Sequence, residues 1–260
     1  MPEISEYAPG MPSWVDLASP DMDASATFYG GLFGWESVET GPVEETGGYR
    51  MLQLGGRNVA GLGPVQAEGQ PAMWTTYVSV ADAEATAERV RQGGGQVVME
   101  PFDVLGAGRM AVLNDAVGAV LAVWQPQRHH GADVVNEPGA LCWNELAARD
   151  VEAAKRFYRT VFDWQGDTSA YGNTSYTEWK LDGRAVGGMI EMNEEWPEEV
   201  PAHWMVYFAV DDTDAAATRA AEHGGKVPVE PTDTPVGRFA VLNDPQGAVF
   251  SIIKLTRAPQ

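Results

Sequence analysis

Two tryptophan–acid pairs are the residues of this chain best suited to chemistry. Trp14 and Asp16 lie in PSWVDLAS, and Trp143 and Glu145 lie in LCWNELAA. Residues two apart share a face of a β-strand, so each acid stands beside its indole if these segments are strands. Desolvation in an apolar hollow raises the pKa of such a carboxyl group. The group can then serve as general acid or base, or hydrogen-bond a polar ligand. The competing reading is a carboxylate satisfied by backbone or by an arginine at a sheet edge. Tyr77 and Tyr207 are the matching tyrosines of a neighbouring segment, with Thr75 and Met205 two residues before them. Their hydroxyls suit a carbonyl or phenol oxygen, although ordinary core tyrosines fit as well. Trp124 faces inward in the first half of the chain, where Ile253 is its counterpart in the second. Arg109 and Arg238 open equivalent segments; they either anchor an anionic group of a ligand or pair with a nearby carboxylate.

Other chemistries find little support. No G-x-S-x-G motif is present, and the single cysteine, Cys142, reads as a small buried apolar residue at a strand start. Glycines at Gly93–Gly95 and Gly224-Gly225 follow helices and act as C-caps rather than phosphate loops. The formal charge of −20 repels phosphate backbones and anionic lipid, which argues against nucleic acid and membranes as partners. The N-terminal residues MPEISEYAPG lack a basic region and an apolar run, and no stretch approaches ~20 apolar residues. A cytoplasmic protein with a small-molecule ligand is expected.

The elements that position these residues occur twice. Pro12–Glu36 is answered by Leu141–Gln165, Tyr49–Leu62 by Tyr176–Met189, and Gly108–Val120 by Gly237–Val249. Insertions fall between these blocks, where loops tolerate them. Two units of this size suggest two domains, 1–126 and 140–260, each with its own core and joined by a linker at 127–139. Asp21, Asp82 and Asp150 are candidate helix caps. Phe28, Tyr29, Leu32 and Phe33 recur as Phe157, Tyr158, Val161 and Phe162, a buried helical stripe. Gly55-Gly56 signals a two-residue hairpin. LASPDMDA and VSVADAEA repeat more weakly within the first copy. The chain therefore parses as four βαβββ modules, an α+β architecture. Each sheet has helices on its outer face and a concave face free for a ligand. Trp74 and Trp204 have the opposite parity to Thr75 and Met205 and pack under the helices. The linker histidines His129 and His130 read as solvated surface.

The motif D-x-x-x-A-x-x-F-Y-x-x-x-F-x-W, met from Asp21 to Trp35 and again from Asp150 to Trp164, resembles that of the vicinal oxygen chelate superfamily. The turn N-D-x-x-G-A at Asn114–Ala119 and Asn243–Ala248 carries the same resemblance. The superfamily comprises glyoxalases, bleomycin-resistance proteins, fosfomycin-resistance enzymes and extradiol dioxygenases. The resemblance implies two domains with cupped mixed sheets. It also implies metal-ligand positions at Trp14, Thr75 and Ala122 in copy one, and at Trp143, Met205 and Ser251 in copy two. None of these six carries the imidazole or carboxylate a divalent ion needs. Glu191 is a lone carboxylate that would face inward only in copy two. No metal and no cofactor are therefore expected.

The leading expectation is a metal-independent binder of a hydrophobic small molecule bearing a carbonyl or hydroxyl group, similar to the bleomycin-resistance proteins. One alternative is an isomerase, cyclase or lyase using Asp16 or Glu145 with Tyr77 or Tyr207. A metal-dependent glyoxalase or dioxygenase is the other. A monomer with internal pseudo-two-fold pairing is expected.

Overall fold

The computed structural model describes residues 4–67 and 69–256. The outermost residues of the two expected domains, 1–3 and 257–260, lie outside the described residues. Copy one runs β1 (Pro12–Ser19), α1 (Met22–Phe33), β2 (Glu36–Glu39), α2 (Val43–Thr46), β3 (Arg50–Leu54), β4 (Arg57–Pro64), β5 (Met73–Ser79), α3 (Ala83–Gln92), β6 (Gln96–Asp103), β7 (Gly108–Asn114) and β8 (Val120–Pro126). Copy two follows with β9 (Leu141–Ala148), α4 (Val151–Phe162), β10 (Gln165–Tyr171), β11 (Thr174–Leu181), β12 (Arg184–Glu191), β13 (His203–Ala209), α5 (Thr213–Glu222), β14 (Lys226–Thr234), β15 (Gly237–Asn243) and β16 (Val249–Leu255).

Local chemistry explains the elements. Asp21, Asp82, Asp150 and Asp212 each accept the backbone N–H three residues on, at 2.8–3.0 Å, and so start the four long helices. Gly55 and Gly56, at φ of 58° and 78°, close the β3–β4 hairpin in the left-handed region that glycine enters freely.

Each copy forms one eight-stranded mixed sheet, β2-β3-β4-β1-β5-β8-β7-β6 and β10-β11-β12-β9-β13-β16-β15-β14. The modules of a copy join through the antiparallel pairs β1–β5 and β9–β13. The helices cover the convex faces, and the two convex faces meet. One expectation fails here, because the two large cores are shared between the copies. One large apolar cluster joins Val15, Leu17, Phe28 and Leu52 of copy one to Phe208, Ala216, Leu242 and Phe250 of copy two. The other joins Val78, Val90 and Leu113 to Phe157, Val161, Trp164 and Trp204. The helical stripes show which residues are buried, but not that their partners belong to the other repeat.

Polar contacts lock the crossing. The Asp115 carboxylate accepts the Val117 and Ala119 N–H groups in its own turn, and the Tyr158 hydroxyl of the other copy at 2.6 Å. Asp244 does the same with Gln246, Ala248 and Tyr29. Trp204 and Trp74 donate to those tyrosine oxygens, both at 2.9 Å, which places them under the helices as expected. The Trp35 and Trp164 indoles donate to the Gly139 and Gly10 carbonyls, each at 2.7 Å. Thr76 donates to Asn144 between the central strands. The two sequence motifs are thus the two halves of one joint.

Candidate functional site

With the convex faces packed together, the concave faces point away from one another. Strand alternation sends Trp14, Asp16, Thr75, Tyr77, Ala122 and Trp124 to the concave side of copy one. Cross-strand pairing sets Asp16 opposite Thr75 and Trp14 opposite Tyr77. In copy two, Glu145 faces Met205 and Trp143 faces Tyr207, with Ser251 beside Tyr207 on the next strand. Every residue expected to line a cleft is there, except the two arginines.

Each acid is flanked by two tyrosines. Asp16 accepts the Tyr77 hydroxyl at 2.7 Å and the Tyr49 hydroxyl at 3.3 Å, and the Trp14 indole donates to the Tyr49 oxygen at 3.1 Å. Glu145 accepts Tyr207 at 2.8 Å, and Tyr176, whose oxygen accepts the Trp143 indole at 2.9 Å, lies close enough to oppose the rise in its pKa. Burial dominates the electrostatics. It raises Asp16 to about 6 against the tyrosine hydrogen bonds, and it raises Glu145 in the same way. Tyr77 and Tyr207 are pushed well above the ordinary phenol range, first by burial and then by the carboxylate beside them. These phenols stay protonated and donate to the acid.

Tyr49 and Tyr176 escaped the sequence reading as site residues, although they are equivalent in the two copies. The signal lies opposite them. Gly61 and Gly188 are the places where a Cβ would overlap the Tyr49 and Tyr176 hydroxyls. Glycine on β4 and β12 leaves room for each tyrosine to lie across the strand and reach the acid.

Four further expectations are corrected. Arg109 alternates with Met110, points to the convex side and forms an ion pair with Glu84 of α3. Arg238 makes a two-pronged contact with Asp214 of α5 at 2.7 and 2.9 Å and a further one with Asp233. Both arginines tie helix to strand and neither lines a cleft. Glu191 has the parity opposite to Gly188 and accepts the Ser175 hydroxyl at 2.7 Å, away from the concave wall. His129 is only partly exposed; its ring stands edge-on to Trp14 at 4.6 Å, and burial lowers it to about 4. Cys142 is buried, and its thiol is pushed up to about 12, which matches an inert role.

The clefts differ in what fills them. In copy one, Trp14, Tyr77, Ala122 and Trp124 form a buried cluster with Ala132 of the linker. In copy two, Cys142, Ala209 and Ile253 are buried, while Trp143, Tyr207, Phe239 and Leu255 remain partly exposed around them. Two surface hollows elsewhere, of about 460 Å³ beside Tyr7 and about 560 Å³ beside α5, carry no comparable set of reactive groups.

The donor set does not suit a divalent cation. The six positions implied by the resemblance hold indole, methyl, hydroxyl and thioether groups, and each cleft has one carboxyl already engaged by a phenol. Among the described residues, no three His, Cys, Asp or Glu side chains converge. The constellation can accept or donate a hydrogen bond beside an aromatic wall, or move a proton between a weakly acidic carboxyl and a bound molecule.

The family model for the Glyoxalase/Bleomycin resistance protein/Dioxygenase superfamily matches residues 12–123 and 140–252. "Putative glyoxylase CFP32" of Mycobacterium tuberculosis is 46% identical over 266 residues, covering 100% of both chains. "Anthracycline biosynthesis protein DnrV" of Streptomyces peucetius is 42% identical over 267 residues, covering 97% of this chain and 96% of the relative. The crystal structure of the Mn(II)-bound glyoxalase from Novosphingobium aromaticivorans shares the fold, with a TM-score of 0.67 at 16% identity over 97% of this chain and 84% of that one.

Proposed function

Starting from the fact that the chain belongs to the glyoxalase/bleomycin resistance protein/dioxygenase superfamily, we propose that it binds a hydrophobic small molecule bearing a carbonyl or hydroxyl group, and does so without a metal ion. The observation that carries this reading is the tyrosine-bound acid beside a tryptophan, flanked by a second tyrosine and built in both copies. The carboxyl and phenols recognise a polar edge, and the indole and its neighbours cover an apolar ring. The relatives named for anthracycline biosynthesis support a flat polycyclic ligand of that chemistry. The protein acts as a monomer, since its two copies already make the pairing that would otherwise need a second chain.

Titration with a dihydroxyanthraquinone, followed by quenching of tryptophan fluorescence, tests the reading. Binding is expected to survive exhaustive chelation and to weaken at least tenfold in Glu145→Gln. Stoichiometric manganese, iron, nickel or zinc in protein purified without a metal-affinity tag would refute it.

The raised pKa of Glu145 favours a second reading. A carboxyl group that titrates nearer neutrality is a better general base, and Tyr207 at 2.8 Å is its natural proton partner. This reading makes the protein an isomerase, cyclase or lyase. Turnover that collapses in Glu145→Gln while affinity survives marks the enzyme; loss of affinity alone marks the binder.

A further inference from the structure

The linker between the copies does more than connect them. After β8 it crosses the concave face of copy one. His129 presents its ring edge to Trp14 at 4.6 Å and 82°, and to Trp124 at 5.7 Å and 71°. Ala132 follows, fully buried in the cluster of Trp14, Tyr77 and Trp124. The segment then enters the splay between the starts of β1 and β4, where those strands no longer pair. Hydrogen bonds hold it, among them Trp124 indole to His129 carbonyl at 2.7 Å, Ala132 N–H to Ser13 carbonyl at 2.8 Å, Tyr7 hydroxyl to Ala132 carbonyl at 2.8 Å, Asp133 N–H to Asn58 carbonyl at 2.8 Å, and Asn58 N–H to the Asp133 carboxylate at 2.7 Å.

The linker therefore sits where a ligand would sit, and its imidazole marks the kind of group this wall accepts: a flat ring, edge-on to the indole, next to the acid and its tyrosines. Copy two repeats the wall without the plug. Among the described residues no ring packs on Trp143. Trp143 and Tyr207 are part-exposed, whereas Trp14 and Tyr77 are 3% and 6% exposed. Three replacements leave the second wall less filled and more polar: Ile253 for Trp124 takes less room beside the indole, Phe239 for Met110 adds an aromatic face, and Ser251 for Ala122 adds a hydroxyl.

We infer that only the concave face of copy two takes the ligand, one molecule per chain. The ligand is a fused aromatic ring system whose hydroxyl or ketone edge meets Glu145 and Tyr207 and whose ring packs on Trp143. The linker has permanently occupied the corresponding place in copy one. This rests on the binding function proposed above and adds which site works, how many molecules it takes and what shape they have.

Native mass spectrometry of the full chain with a dihydroxyanthraquinone tests it, using Trp143→Ala and Ile253→Trp, the second of which restores the copy-one filler. Thermal melts check that both variants fold. One probe molecule per wild-type chain is expected, with affinity reduced at least tenfold in each variant. Two molecules per wild-type chain, or undiminished binding in both variants, would overturn the division between the clefts while leaving the binding function standing. No probe bound to the wild-type protein would overturn both.

Discussion

Replacing Gly188 by alanine tests whether the tyrosine–acid constellation depends on a missing side chain. Gly188 lies inside β12 with an ordinary strand backbone, so alanine meets no conformational barrier. By restricting the unfolded chain it would, alone, add about 0.4–1 kcal/mol of stability. A Cβ at this position overlaps the Tyr176 hydroxyl and comes within 3.0 Å of the Trp143 indole nitrogen. Tyr176 must leave, and the apolar surface that its part-buried ring covers is exposed, at a cost of up to roughly 1.5–3 kcal/mol. The bond from Trp143 is worth roughly 0.5–1.5 kcal/mol, of which water restores a part because that indole is partly exposed. The balance is a net loss of about 1–3 kcal/mol. Urea denaturation of Gly188→Ala, Tyr176→Ala and the double variant measures it. In the Tyr176→Ala background the space is already empty, so the added methyl should be neutral or stabilising. Additive effects of the two substitutions, or a stabilised Gly188→Ala single variant, would refute the packing argument.

Three further outcomes follow from the same geometry. Asp16 binds its proton more tightly when folded, so the unfolded chain holds fewer protons between pH 4 and 6, and stability falls as pH rises through that window. Wild type should lose up to about 3 kcal/mol relative to Asp16→Asn between those limits, read from paired denaturation curves; a flat difference sinks the claim. His129, lowered to about 4 by burial, gives the opposite slope: relative to His129→Gln, wild type should gain stability as pH rises from 4 to 6.5, and an equal slope in both proteins would contradict its burial. Tyr158→Phe removes the 2.6 Å bond to Asp115 across the copies and should cost about 1.5–3 kcal/mol by denaturant melts, with a loss below ~0.5 kcal/mol counting against that joint.

Much of this was legible in the sequence. Asp21, Asp82 and Asp150 started helices where their side chains could reach the third residue on, and strand parity placed Trp14, Asp16, Thr75 and Tyr77 on one wall. Tyr49 and Tyr176 were not legible because parity gives the face of a side chain but not its reach. The clue was a glycine kept at the same place in both repeats, and it gains meaning only once β3 and β4 are paired. The arginines stayed open between a ligand and a carboxylate because a long charged side chain at a strand start serves either, and the structure pairs both with helix acids. His129 did mislead. A polar linker composition predicts solvation, but two indoles left uncovered on a neighbouring sheet offered this ring a better environment than water.

The crossed apolar clusters have a consequence for how the molecule melts and how it changes over time. A chain laced in this way has no seam: cutting it after residue 126 would leave Phe28, Tyr29 and Leu17 facing solvent, so neither repeat should persist as a folded piece. Heating should dissolve both repeats in one endotherm rather than two. The interlocked sides are thus bound to vary together, since a change in one repeat is felt by its mate. The outward hollows carry no such obligation, which leaves one free to become scaffolding while the other keeps its appetite for a guest.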